Sequence, residues 1–413
     1  MMKTISTWAL TGITKESRKM DSDYRIHKKM TIVLWLASMI AGIVNLKSHY
    51  IDPMTTTQYS VSYFESGFVS GGAFTTLYCL LGQIFESLLK PAGFFCYAVV
   101  ITFLFNLLLL ILCLYFFNRV TDKYKSQACL FMTISLMLIA STSFSYKCVG
   151  RLDLIQMMVL FLEVIIIYRG KLLGFVPVLT LVNSLICDRN SIFIILLPVI
   201  LLYIDIKTRS KHRTKHRVGY MKGILILSVL FAIGPMIIFT LLGDKQNIWQ
   251  TLSENSLKLN ENGLNDFVYL EWVSKFGHAN SHYYASPSER NMSLLSFIVY
   301  MIPYISVVIN FTYFMLKATK RKRVYILAFI ISLIPPVIAG LINGNLTITI
   351  VWMVMNYLII FLYFSAKGQK TFMYALHKMP LDIKNCVPIV ICIGIMTMGG
   401  YDNFVNLMLR YMR

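Results

Sequence analysis

The chain has 413 residues, of which 57% are hydrophobic and only 14% are charged. No ordinary soluble domain has this balance, so the composition excludes a string of soluble domains and indicates one polytopic membrane protein. The formal net charge of +20 could suggest nucleic-acid binding. We reject that interpretation because the basic residues stand beside apolar runs, where membrane topology and anionic lipid explain them.

Apolar runs of about 20 residues can cross a bilayer as helices. From such runs we predict an all-α polytopic membrane protein with about 11 transmembrane helices in a single domain, residues 30–400. The runs cover 30–47, 94–118, 127–146, 153–168, 172–187, 191–206, 223–243, 292–316, 325–343, 346–365 and 386–400.

Lysine and arginine are concentrated in alternate gaps between these runs, and loops rich in these residues stay in the cytoplasm. With a cytoplasmic N-terminus, the inner gaps hold 28 of the 39 basic residues, and the outer side holds 12 of the 19 acidic ones. The alternation therefore predicts a cytoplasmic tail at 1–29 and an extracytoplasmic tail at 401–413.

Two of the predicted outer segments are long, 48–93 and 244–291. The first contains an apolar piece from Gly71 to Leu89, which cannot be a full span without inverting every later loop. We interpret it as an interfacial helix on the outer face. Long ordered loops are usually functional, so both segments are candidate sites.

The first outer segment carries two candidate catalytic acids, Asp52 and Glu65. Aromatic residues and glycines surround Glu65, which would suit a sugar-binding platform with a general base. The alternative interpretation is an interfacial aromatic belt followed by a flexible turn.

The second outer segment mixes aromatic, acidic and amide side chains, as carbohydrate-binding surfaces do. His278 and His282 would share one helix face, but without a third ligand this spacing favours a structural role or acid–base use over metal. Trp272 and His282 are candidate sugar contacts, His278 is a candidate base, and Arg290 is a candidate phosphate ligand.

Two short outer turns each combine an acid with an arginine: Arg151 with Asp153, and Asp188 with Arg189. The planar fork of arginine suits phosphate because it donates two parallel charged hydrogen bonds. The alternative is a pair of local ion pairs at helix ends. Deep inside a span, Glu163 is either functional or a hydrogen-bonded structural residue.

The chain contains no phosphate-binding GxxxxGK[ST] loop, GxGxxG, GxSxG or HExxH motif. We therefore predict no cofactor and no metal, and the energy for any reaction would come from the substrate or from a gradient.

In this architecture the chain resembles the Wzy-type polymerases of bacterial O-antigen and capsule assembly, with the outer loop 244–291 ending at Arg290 as the large periplasmic loop. The early segment is also similar to the GT-C class of lipid-sugar glycosyltransferases. That class has an acidic residue in the first outer loop, here Asp52 or Glu65, together with an interfacial helix, here Gly71–Leu89.

These resemblances imply a multi-pass protein of the bacterial inner membrane that polymerises polyprenyl-pyrophosphate-linked glycans, with other membrane proteins of polysaccharide assembly as partners. The alternatives are a GT-C transferase of a single sugar and a lipid-linked glycan flippase. A flippase would line a central path with charge. We expect the charges of this chain to gather at one face instead, which disfavours transport.

Overall fold

The computed structural model describes residues 26–46, 72–84, 91–145, 148–186, 192–209, 215–242, 287–318, 346–368 and 386–398, with 330, 334, 336 and 378 as isolated positions. Within these ranges every regular element is a helix and no strand occurs. The all-α prediction is therefore confirmed for this part of the chain.

The described residues form eleven α-helices and one short 3₁₀ turn, Asp122–Tyr124. The α-helices are α1 (Ile26–Asn45), α2 (Gly72–Ile84), α3 (Pro91–Phe117), α4 (Lys125–Ser143), α5 (Leu152–Arg169), α6 (Phe175–Ile186), α7 (Ile192–Arg209), α8 (Lys215–Leu242), α9 (Pro287–Ala318), α10 (Leu346–Ala366) and α11 (Val387–Met398).

Five helices are long and apolar enough to cross a membrane, namely α1, α3, α4, α8 and α10. The helix α9 makes a sixth if its two parts, which meet at a 61° bend near Pro303, form one span. Proline removes a backbone hydrogen bond and kinks a helix, which accounts for the bend. These helices indicate a multi-pass membrane protein.

The helices α5 and α7 have 18 residues each but also three charged residues each. With 12 residues, α6 is about 18 Å long and cannot cross a bilayer core of about 30 Å alone. The helix within the predicted run 172–187 is thus shorter than a full span, because the turn at 170–174 comes first and α6 begins only at Phe175.

Ten of the eleven predicted apolar runs coincide with a helix. The run 325–343 lies almost wholly outside the described residues. The apolar piece predicted as an interfacial helix is helical over Gly72–Ile84, and its 13 residues are too few to span a bilayer.

Two helices form the centre of the bundle. All residues of 128–145 in and after α4 are buried, and so are all residues of 347–365 in α10. The rings of Phe131 and Phe361 stack with centroids 4.2 Å apart where the two helices cross, and Phe311 of α9 meets Phe361 at 5.0 Å. A helix with no face exposed to its surroundings lies inside a bundle.

Outer helices bury one face and expose apolar side chains on the other. On α3 the exposed positions recur at helical spacing, as Val100, Leu104, Leu108 and Ile111. Polar pairs hold the buried faces together: Thr31 Oγ1 lies 2.7 Å from Thr133 Oγ1, and Asn106 Nδ2 donates to Ser143 Oγ at 2.8 Å. Such hydrogen bonds and small residues are how helices associate in lipid.

Contacts between helix ends define two ends of the bundle. At the Arg151 end, the turn 148–151 meets the start of α3 at Ala98 and Thr102. At the Lys367 end, α10 bonds to α7 through Asp205 and to Tyr168 of α5. The basic gaps after α3, α5, α7 and α10, which the charge pattern assigns to one side, thus begin at the same end.

Candidate functional site

The turn that joins α4 to α5 is buried and fixed to α3. Gly150 has φ +74°, a conformation that side chains rarely adopt, and a Cβ there would lie 2.4 Å from Ala98 Cβ. Its N–H donates to Thr102 Oγ1 at 2.9 Å. Only glycine allows this close approach, and the turn in turn sets the position of Arg151.

Arg151 and Asp153 form a buried ion pair at the start of α5. Arg151 Nε donates to Asp153 Oδ2 at 2.7 Å, and their side chains are 5% and 2% exposed. A carboxylate in the first turn of a helix is also stabilised by the helix dipole. The structure therefore brings together two of the predicted substrate-binding residues, in the local ion pair that was the alternative interpretation.

Below this pair, a line of buried polar side chains runs between α5, α6 and α8, and we call it the polar seam. Its members are each 0% exposed, and they are Gln156, Glu163, Thr180, Asn183, Ser184 and Ser228. Asp153, Gln156 and Glu163 share one face of α5 because their spacing is close to whole helical turns.

Hydrogen bonds across the polar seam join the helices. Gln156 Nε2 donates to the carbonyl oxygen of Asn183 at 3.2 Å, and Thr180 Oγ1 lies 2.7 Å from Glu163 Oε1. Ser184 Oγ donates to the carbonyl of Phe231 at 2.8 Å. The seam therefore connects α5 to α6 and α6 to α8.

Several atoms of the polar seam have no hydrogen-bond partner among the described residues. They are Gln156 Oε1, Glu163 Oε2, both amide atoms of Asn183 and Ser228 Oγ. Each unsatisfied buried polar group costs about 1–3 kcal/mol, so native proteins usually satisfy it with water or a ligand. The Gln156–Asn183 region offers both donors and acceptors, the combination that a hydroxyl group needs.

The helix α2 lies beside the Arg151 end. Its Tyr78 packs on Tyr97 and Phe94 of α3, with ring centroids 4.9 and 6.0 Å away. The same small cluster includes Leu152 and Ile155 of α5. The helix from the first predicted outer segment thus covers the residues that flank the ion pair.

A second buried ion pair lies at the opposite end of the bundle. Lys367 Nζ is 2.6 Å from Asp205 Oδ1 and 2.5 Å from Tyr363 Oη, and the lysine and aspartate side chains are 2% and 4% exposed. With this pair at one end, Arg151–Asp153 at the other and Glu163 between them, the expectation that charges gather at one face is wrong.

Sequence reasoning identified Arg151, Asp153 and Glu163, but missed Gln156, Asn183 and the Asp205–Lys367 pair. Amides inside apolar runs and an aspartate near a span end were the available signals. A lone amide in a sequence does not show its partner, because that depends on the register between helices.

The other predicted site residues are not described in the structure. Arg290 lies in the first turn of α9, but its side chain is outside the description. Those outside the described residues altogether are Asp52, Glu65, Asp188, Arg189, Trp272, His278 and His282. Among the described residues there is no group of three or more His, Cys, Asp or Glu side chains that could hold a metal ion.

Comparisons with known proteins give no further identification. No protein-family model matches the chain, and no curated protein or solved structure matches it.

Proposed function

We propose that this protein is an inner-membrane glycosyltransferase that polymerises polyprenyl-pyrophosphate-linked oligosaccharides on the outer face. The observation that carries the proposal is the buried Arg151–Asp153 pair beside α2, at one end of a bundle with apolar outer faces. A polyprenyl tail could follow those faces while its diphosphate reaches an arginine in apolar surroundings, where charge interactions are strong.

In this proposal the diphosphate of the donor displaces Asp153 from the Arg151 guanidinium. The bond between the anomeric carbon and the diphosphate oxygen breaks, and Arg151, with Arg189 and Arg290, stabilises the charge that develops on that oxygen. The acceptor hydroxyl forms the new glycosidic bond and gives its proton to Glu65, with Asp52 or His278 as the alternative base.

The remaining candidate residues would bind the sugars. Trp272 and His282 would contact the glycan, and Asp188 would hold Arg189 as Asp153 holds Arg151. The Lys367 end would then face the cytoplasm and the Arg151 end the periplasm, in agreement with the positive-inside rule.

A transferase of a single sugar from a polyprenyl-phosphate donor is a second candidate. The observation that favours it is α2, which is helical in the first predicted outer segment, where the GT-C class has its interfacial helix. This candidate would use the same arginine and the same outer acids.

A lipid-linked glycan flippase is the candidate from another class. The polar seam and the two buried ion pairs favour it, since they place buried polar groups at both ends of the bundle and between α5, α6 and α8. A translocator needs polar groups along its whole path, whereas a transferase needs them at the reacting end.

Deletion of the gene separates these candidates. A surface glycan that keeps one repeat unit but loses the long ladder on a gel supports the polymerase, and a shortened repeat unit supports the single-sugar transferase. A lipid-linked unit trapped on the inner leaflet supports the flippase, and unchanged glycan contradicts all three.

The purified protein gives the sharper test. In detergent, where no two compartments exist, a polymerase should extend polyprenyl-pyrophosphate-linked repeat units into a ladder, and a flippase should leave them unchanged. A preparation that is folded by size-exclusion chromatography but gives no ladder would contradict the polymerase.

A further inference from the structure

At the Lys367 end, two arginines contact one tyrosine ring. The Arg119 guanidinium carbon lies 3.7 Å from the centroid of the Tyr115 ring. Arg169 Nε donates to Tyr115 Oη at 3.0 Å, and its guanidinium carbon is 5.5 Å from the same centroid. Two positive charges therefore share one tyrosine side chain, and both arginine side chains are exposed.

Neither arginine has an acidic partner within the described residues. Ion pairs among the described residues, such as Lys125–Asp122, Arg151–Asp153 and Lys367–Asp205, involve neither arginine. Lys367, whose Nζ lies 5.8 Å from the Tyr168 ring, is paired with Asp205. Like charges on one tyrosine side chain repel each other, and an anion that contacts both would offset this repulsion.

The arginine donors suit a phosphate. Arg119 uses Nη1 for the carbonyl oxygen of Tyr115 at 2.8 Å, and Arg169 uses Nε for the tyrosine hydroxyl. The tyrosine thus fixes both guanidinium groups and leaves their other N–H groups for a ligand. Arginine binds phosphate through parallel charged hydrogen bonds, and a fixed guanidinium loses less entropy when it does so.

The surface next to these arginines is amphipathic. The turn after α5 exposes Lys171 and Leu172, and the first residue of α6, Phe175, is exposed beside them; the two apolar side chains are 69% and 58% exposed. Leu172 has φ +56°, an unusual value for a bulky residue. Basic groups that lie beside exposed apolar groups at a bundle end match the boundary between lipid head groups and acyl chains.

We propose that Tyr115, Arg119 and Arg169 bind the phosphate of an anionic phospholipid, with its acyl chains beside Leu172 and Phe175. The apolar neighbours favour a lipid over free phosphate as the source of the anion. The site lies at the end opposite Arg151, so it is separate from the proposed reaction and does not depend on it.

The test measures binding of phosphatidylglycerol to the purified protein by native mass spectrometry, with phosphatidylcholine as the neutral reference. Replacing both arginines (Arg119→Gln with Arg169→Gln) should weaken phosphatidylglycerol binding by about tenfold or more and leave phosphatidylcholine binding unchanged. Tyr115→Phe, which removes the bond to Arg169 Nε, should give a smaller loss of the same kind.

The matched control removes the same charge elsewhere. Lys207 and Lys317 are exposed, and each lies 5.8 Å from the ring of a nearby tyrosine. The pair Lys207→Gln with Lys317→Gln should keep wild-type affinity. An equal loss in this control would show general charge attraction and overturn the site.

Two further outcomes also decide the matter. If the double arginine variant does not fold, Arg119→Lys with Arg169→Lys keeps the charge but loses the planar fork, and it should lose part of the affinity. Undiminished phosphatidylglycerol binding in either double variant overturns the proposal. Inorganic phosphate that competes as well as phosphatidylglycerol would show a free-anion site and overturn the lipid assignment.

Discussion

Arg151 and Asp153 allow a structural role and a functional role to be separated. Each alone would be a buried charge without its partner, and a buried pair broken on one side loses about 3–5 kcal/mol. Replacement of both by apolar residues is often nearly neutral for stability. Stability and activity should therefore respond differently to the single and double variants.

We predict that Arg151→Leu unfolds at a markedly lower temperature than the wild type and abolishes the glycan ladder. Arg151→Leu with Asp153→Leu should recover most of the stability but none of the ladder, since Arg189 and Arg290 alone should not hold the diphosphate in the reacting position. Thermal unfolding of the purified protein and gel analysis of surface glycan measure the two effects. A wild-type ladder from the stable double variant would remove Arg151 from the mechanism.

Glu163 separates the transferase from the transporter. Thr180 Oγ1 has one hydrogen, yet it lies 2.7 Å from Glu163 Oε1 and 2.8 Å from the carbonyl oxygen of Val176. A Glu163 side chain that donates from Oε1 to Thr180 leaves the threonine hydrogen free for the carbonyl oxygen of Val176. The amide of glutamine can donate in the same way.

We therefore predict that Glu163→Gln keeps the stability and the polymer ladder of the wild type, as a neutral isostere would. Glu163→Leu should lose about 1–3 kcal/mol, because it removes the hydrogen bond and changes the packing. A folded Glu163→Gln protein that forms no polymer ladder would contradict the transferase. It would favour a carrier that takes up protons at this position.

Individual residues were only partly predictable. Arg151, Asp153 and Glu163 are detectable because a charge inside or beside an apolar run is costly and needs a reason. The contact of Gln156 with Asn183 was not predictable, since it depends on the antiparallel register of α5 and α6. The spacing of residues within one helix gives no information about how that helix is aligned with its neighbour.

Among the elements, the turn 148–151 has the strictest requirement. Gly150 combines a positive φ with direct contact to the backbone of α3. In contrast, Gly223 lies within α8, and a Cβ there would meet nothing within 4 Å. These two glycines form a matched pair for the same substitution.

We predict that Gly150→Ala destabilises the protein by about 1–3 kcal/mol, since both the backbone conformation and the contact with Ala98 are lost. Gly223→Ala should be neutral or stabilise by up to about 1 kcal/mol, because alanine favours a helix. The melting temperatures of the two purified variants provide the measurement. Equal melting temperatures would show that the turn does not hold α5 on α3.

Helix positions were more predictable than helix lengths. The hydrophobic runs locate α4 and α10 to within a few residues because apolar length in lipid permits little else. They overestimate the length of α6. Its start is set by the preceding turn, in which Gly170 and Leu172 both have positive φ. A composition window cannot detect such a turn.

At the scale of the whole molecule, the charge alternation and the helix contacts agree on which ends lie together. The structure groups the ends near Arg119, Arg169, Asp205 and Lys367, as the pattern of basic gaps requires. The pattern of basic gaps predicts this grouping from residue positions alone, because it needs no knowledge of how the helices pack. Which end faces the cytoplasm stays a prediction of the positive-inside rule.

Cysteine labelling tests that assignment. In a variant without its eight native cysteines, Leu172→Cys should react with a membrane-impermeant maleimide only after the cells are opened. Ile84→Cys, which replaces a side chain that is 71% exposed on α2, and a cysteine within 244–291 should react in intact spheroplasts. The reverse pattern would place the proposed reaction on the wrong side and end the proposal.

The complete burial of α10 has a consequence for biogenesis. Its main neighbour α4 is synthesised some two hundred residues earlier. The early helices therefore leave the ribosome long before α10, which fills the centre of the bundle, has been made. Until then the hydroxyl-rich surface of α4 has no permanent neighbour, and truncation before Leu346 should leave a product that the cell degrades. Insertase or chaperone contacts with the nascent chain should therefore persist until translation has passed residue 366.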